Sequence, residues 1–143
     1  VFTSVFLGLG GGDVVTAAIW KFSALGKWGM CGIMMFIVFI MGFLLDWIAI
    51  VYITFPIFLP IAAELGFDPI WFIIMIAVNL QISFLTPPFG YALFYMKSTV
   101  PPEIRLIDIY RSIVPFVLIQ LLSLGILWIF PQFATWLPSA VID

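Results

Sequence analysis

The sequence predicts an all-α integral membrane protein, and three observations carry that prediction. Apolar residues make up 65% of the chain and charged residues only 8%, against about 45–50% and about 25% in a soluble domain. The charges gather in short separators, "KFSALGK" (21–27), "ELGFD" (64–68) and "KSTVPPEIRLIDIYR" (97–111). Of the apolar blocks they set off, 69–96 and about 112–131 suit single crossings, for which about 20 residues span a hydrocarbon core of about 30 Å. A net charge of −2 argues against a nucleic-acid partner, which needs a basic stripe. There is no histidine and Cys31 is alone, so neither a disulfide framework nor a Cys/His metal centre is expected.

The first block, residues 1–27, reads as the end of a membrane helix plus an interfacial helix. Asp13, in "GLGGGD", is placed to N-cap that short helix. The chain opens at Val1 inside an apolar run, with no charged leader before it. That predicts the C-terminal part of a longer membrane protein.

Residues 28–68 form the unusual block, because between Trp28 and Ala63 the single charge is Asp46. One straight helix of about 36 residues would extend about 54 Å, too long for one crossing. Two full crossings would need a polar turn at the far side. The expectation is a re-entrant hairpin, with short helices going in and out around a turn at Gly42–Asp46. An ionisable group at membrane depth costs at least ~2.5–3.5 kcal/mol and marks a functional position. Asp46 is therefore a candidate for holding a cation or a proton, and it can also cap "WIAIVYITF". Pro56 and Pro60 are expected to bend the exit arm, beside Thr54, a weaker candidate.

Residues 69–97 have the length of one crossing but are interrupted in "NLQISFLTPPFGYALFY". Pro87 and Pro88 lack N–H groups, which strips the carbonyls of Ser83 and Phe84 of their helical donors. The residue before a proline is also pushed out of the α region, and Gly90 lets the chain resume. Asn79, Ser83, Thr86 and Gly90 are spaced to share one helical face up to the break. Hydroxyl and amide oxygens beside freed carbonyls suit a hard cation such as Na+, and broken helices mark transporter sites. The alternative is a kink satisfied by neighbouring helices, with the small polar residues serving as a packing face.

Residues 98–111 are expected as a cytoplasmic loop, and 112–143 as the final transmembrane helix and an exterior tail. Lys97, Arg105 and Arg111 on one side outnumber Lys21 and Lys27 on the other, which orients the hairpin toward the exterior.

A hairpin, a proline-broken helix and a last helix make half of an inverted-repeat transporter. "GFLLDWIAIVYITFPIFLPIAAELGFDPIWF", "NLQISFLTPPFGYALFYMK" and "DIYRSIVPFVLIQLL" closely resemble the C-terminal region of the large membrane subunit of TRAP transporters, the tripartite ATP-independent periplasmic transporters. The resemblance implies a secondary, Na+-coupled carrier of organic acids such as C4-dicarboxylates or sialic acid, not an enzyme. It implies a multi-pass subunit in the bacterial inner membrane, working with a small membrane subunit and a periplasmic binding protein. It further implies an elevator mechanism, with residues 28–97 as the second repeat of the transport domain. Asp46, Asn79, Ser83, Thr86, Pro87 and Gly90 then form the second-repeat ion and substrate site, with Asp46, Asn79 and Thr86 as the Na+ candidates. Beyond Na+ no cofactor is expected. Two other readings stand beside it: an intramembrane aspartyl protease using Asp13 and Asp46, since "GGGD" resembles the GxGD of those enzymes, and a structural or channel subunit.

Overall fold

The computed structural model describes residues 4–5, 8–86 and 91–142, and their regular structure is entirely helical. In chain order the helices are α1 (Gly11–Trp20), α2 (Gly26–Leu44), α3 (Trp47–Glu64), α4 (Pro69–Leu85), α5 (Tyr91–Thr99), α6 (Leu106–Ile129) and α7 (Gln132–Ile142).

α2 and α3 form the hairpin, with its tip at Leu45 and Asp46, both in extended backbone. The arms are longer than expected for re-entrant pieces. At 19 and 18 residues they extend about 28 and about 27 Å. Both, and α6, are long and apolar enough to cross a membrane. α3 continues through Pro56 and Pro60 as one helix.

The turn out of α3 is built by local chemistry. Gly66 takes a positive φ of 78°, where a side chain would be strained. The Phe67 N–H then donates to Ala62 O at 2.9 Å, and the Gly66 N–H to Ala63 O at 3.0 Å. These two bonds close the helix end in the glycine-terminated manner. Asp68 caps α4, accepting the Trp71 N–H at 3.0 Å, and Pro69 fills the first helical position.

α4 is the axis of the fold. Its buried residues, from Trp71 and Phe72 through Met75, Ile76, Asn79 and Leu80 to Ile82 and Ser83, lie on several faces, because α2, α3, α5, α6 and α7 all pack against it. That is why its sequence is apolar all round. A second, smaller core of Leu93, Ile109 and Ile113 ties α5 to the start of α6. The outer face of α6 exposes Val114, Phe116, Leu118, Ile119, Leu122 and Ile126, as a membrane span should.

Two boundaries depart from the sequence reading. α6 starts at Leu106, inside the expected 98–111 loop, because the Asp108 carboxylate accepts the Arg105 N–H at 3.1 Å and opens a helix there. Asp13 does not N-cap α1. Gly10, at φ 77°, holds that position, and Asp13 lies in the first turn, where its charge complements the helix dipole.

The α6–α7 junction repeats the proline problem. Pro131 has no N–H, so the Leu127 carbonyl lacks its helical donor. The Trp71 indole N–H fills the gap at 2.8 Å, across 56 residues. Trp28, Phe67 and Trp128 ring Trp71 with centroids 5.1–6.3 Å away, and Lys27 Nζ sits 5.3 Å from the Trp28 ring. The Trp71→Phe variant keeps a ring but orphans the Leu127 carbonyl. In the full-length protein it should cost about 1–3 kcal/mol, read as a lower thermal midpoint in detergent. An unchanged midpoint would mean the carbonyl finds another donor.

Candidate functional site

The break lies where the pre-proline rule puts it. α4 ends at Leu85, and Thr86 is extended, with φ −89° and ψ 130°. Pro87 and Gly90, both site candidates, fall outside the described residues. The Ser83 carbonyl is less bare than expected, since the Thr86 N–H turns back to it at 3.2 Å. That bond takes one of its two lone-pair directions.

Asn79 is buried, and its Nδ2 donates to the Met35 carbonyl at 2.7 Å. This ties α4 to the hairpin's entry arm, and it uses the donor end of the amide. A cation could meet only Oδ1. Ser83 is fully buried and donates from Oγ to Leu80 O at 2.7 Å. Against it lies Gly42. A Cβ built there would stand 1.9 Å from Ser83 Oγ and 2.7 Å from Ser83 Cβ. Gly42, expected only as a turn residue, is instead a point where α2 and α4 come too close for a side chain on α2.

Thr86 donates from Oγ1 to Ile82 O at 2.7 Å. The extended backbone turns its side chain away from the company of Asn79 and Ser83. It lines a cavity of about 340 Å³ with Tyr110, Arg111, Val114 and Val117 of α6. A cation there would share its cavity with a guanidinium. Thr54 donates to Ile50 O at 2.8 Å, within its own helix.

Asp46 holds the N-cap position of α3, yet its side chain accepts no capping hydrogen bond. It is exposed and lines a different cavity, of about 450 Å³, with Trp47, Phe84, Ala92 and Tyr95. The tip of the hairpin therefore faces the end of α4 and the helix that follows the break. The structure joins Asn79 and Ser83 to the entry arm, sets Asp46 opposite the break, and places Thr86 on the α6 side.

The sequence reading missed Trp47, Ala92 and Tyr95. One signal was present: Ala92 and Tyr95 stand three apart, so a small residue and a ring share one face of α5.

Gly42→Ala should force α2 off α4 at a cost of about 1–3 kcal/mol, measured by thermal unfolding of the full-length protein. Adding Ser83→Gly should recover most of the loss, because the two positions share one space. Simple additivity of the two losses would contradict the contact.

The comparisons with known proteins agree on a family. The profile for the DctM component of the tripartite ATP-independent periplasmic transporters matches residues 1–133. The chain is 30% identical over 102 residues to the sialic acid TRAP transporter permease of Haemophilus influenzae, covering 71% of this chain and 16% of that protein. It is 34% identical over 115 residues to the C4-dicarboxylate TRAP transporter large permease of Pseudomonas aeruginosa, covering 80% and 26%. It is 36% identical over 87 residues to the C4-dicarboxylate large permease of Vibrio cholerae, covering 61% and 19%. The chain thus spans between 16% and 26% of the length of these relatives. No solved structure matches it. With the family profile covering most of its length, the chain belongs to the DctM family, the permease component of the tripartite ATP-independent periplasmic transporters.

Proposed function

We propose that this chain forms the second-repeat ion and solute site of the large permease subunit of a Na+-coupled TRAP transporter. The permease carries a small organic acid across the bacterial inner membrane. A periplasmic binding protein delivers the solute, a small membrane subunit completes the complex, and the hairpin and broken helix travel together in an elevator movement. The observation that carries the reading is the uncapped Asp46 carboxylate at the hairpin tip, which shares a cavity of about 450 Å³ with Phe84 at the end of α4 and Ala92 and Tyr95 of α5. The relatives named for sialic acid and C4-dicarboxylates support the solute class.

The chemistry of coupling follows from charge. An ionised carboxylate at depth repels an incoming organic anion and is expensive to move through lipid. A sodium ion on Asp46 removes both penalties. Oxygen ligands suit that ion: Asp46 Oδ, with Asn79 Oδ1, the Ser83 hydroxyl and backbone carbonyls as further donors; Thr86, on the α6 side, would have to swing back toward Asp46 to join them. Empty of Na+, the site rejects the anion; loaded, it accepts it.

Asp46→Asn in the full-length transporter, reconstituted with its partners, should keep the fold and lower Na+ affinity at least ~tenfold, the effect of about 1.4 kcal/mol. Na+-driven uptake should fall with it. Uptake with unchanged Na+ dependence would sink the assignment of Asp46. The same assay ranks Thr86: a normal sodium response in Thr86→Ala would remove it from the ligand set.

A further inference from the structure

We propose that the outer face of α3 is a contact surface for another membrane helix of the same permease, one outside residues 1–143, and that this helix donates hydrogen bonds to the Tyr52 and Pro56 carbonyls. The inference needs the family membership and the membrane setting but not the sodium coupling, so its failure would leave the assignment of Asp46 as it stands.

The backbone comes first. Pro56 and Pro60 sit inside α3. Neither has an N–H, so Tyr52 O and Pro56 O lose the donors that a regular helix would give them. Counted from Glu64 at the hairpin's open end, these carbonyls lie about 18 and about 12 Å along the axis. α3 is long and apolar enough to cross a membrane, and at that depth the bilayer holds no water. Thr54 is the side-chain donor between the two in sequence. It gives its hydroxyl to Ile50 O at 2.8 Å.

The face comes next. Ile50, Thr54, Ile57, Phe58 and Ile61 are buried and turn one side of α3 to the core. Ile48, Tyr52, Pro56 and Pro60 recur every fourth residue and are all exposed, so they line the other side. Both prolines belong to this stripe, and the bare carbonyls open onto it.

The chemistry of the stripe selects what covers it. Lipid has no donor to give a carbonyl. Water has donors but would wet Ile48, Pro56 and Pro60, which is unfavourable. A neighbouring helix with a Ser, Thr, Asn or Gln side chain answers both needs, packing on the apolar stripe and bonding across it. The chain matches 16% of the Haemophilus influenzae permease and 26% of the Pseudomonas aeruginosa permease. Most of a permease of this family therefore lies outside the matched part and can supply that helix.

The test is a photo-cross-link in the full-length permease, in membranes and with its small subunit. p-Benzoylphenylalanine replaces Tyr52, which is 65% exposed, so a ring is kept at the same place. Mass spectrometry should map the adduct to a permease segment outside residues 1–143 that carries a Ser, Thr, Asn or Gln within a helical turn of the cross-linked residue. An adduct to lipid, an adduct to the small subunit, no protein adduct, or a segment without such a donor would each overturn the proposal. A second measurement reads the hydrogen bond itself. Replacing the mapped donor by an apolar residue of similar size should lower the thermal midpoint. Beside Pro56→Ala and Pro60→Ala, where the helix regains its own N–H groups, the same replacement should cost less than about half as many degrees. Equal losses in the two backgrounds would overturn the proposal, and should the proline variants fail to fold, the cross-link decides alone.

Discussion

Every backbone carbonyl in an apolar helix needs a donor, and in lipid no water can supply one. This chain places prolines inside or at the ends of its longest helices, so the constraint shapes most of what surrounds them. At the α6–α7 junction the repair is complete: Pro131 strips Leu127, and the Trp71 indole replaces the missing N–H. That bond also fixes where α4 begins relative to α6, and it holds the Trp28, Phe67 and Trp128 rings in one cluster. At the other end of α4 the repair seen among the described residues is local. The Thr86 N–H turns back to Ser83, and the Thr86 hydroxyl takes the Ile82 carbonyl. One helix thus has one end closed by a distant side chain and another closed, among the described residues, by its own last residue. The second lies opposite the hairpin tip.

The legible part of the fold was the part set by neighbours in sequence. The hairpin, its tip at Asp46, the end of α4 before Pro87 and the long last helix all follow from apolar length, from the position of a lone charge, or from proline stereochemistry. The illegible part was set by distance. Nothing near Gly42 announces Ser83, forty-one residues away in a separate helix. Nothing near Trp71 announces Leu127. The face shared by Asn79, Ser83 and Thr86 was read from helical spacing, and that spacing ends one residue too soon. Thr86 is already extended, so its side chain leaves the face and meets α6. The pre-proline rule that located the break also predicts this swing, once it is applied to the side chain as well as to the backbone.

The hairpin is held unequally. Its entry arm is fixed to α4 by the Asn79–Met35 hydrogen bond and by the Gly42–Ser83 contact, where no side chain intervenes. Its exit arm meets α4 across a groove of about 370 Å³, lined by Trp47, Val51, Phe55, Ala77, Leu80 and Gln81. α3 also carries Pro56 and Pro60, each removing a helical hydrogen bond. Local opening costs least where backbone bonds are missing and packing is thin. In α3 the missing bonds fall at the Tyr52 and Pro56 carbonyls, and the groove runs from there to Trp47 beside Asp46.

That inequality bears on how an ion can be both held and released. A site built wholly on the rigid side, around Asn79 and Ser83, would bind without a way to open, since every donor there is locked by a neighbour. A site built wholly on Asp46 would open freely but offer one carboxylate and little else. An ion bound across the two, as proposed above, would draw the start of α3 toward the end of α4, and its release would reverse that. Such an ion would act through differential affinity for the closed arrangement, which is the requirement for any ligand to shift a conformational equilibrium. The glycine contact lies near the tip end of the entry arm and holds that arm on α4, so any such opening would fall to the exit arm, whose two prolines each remove a helical hydrogen bond.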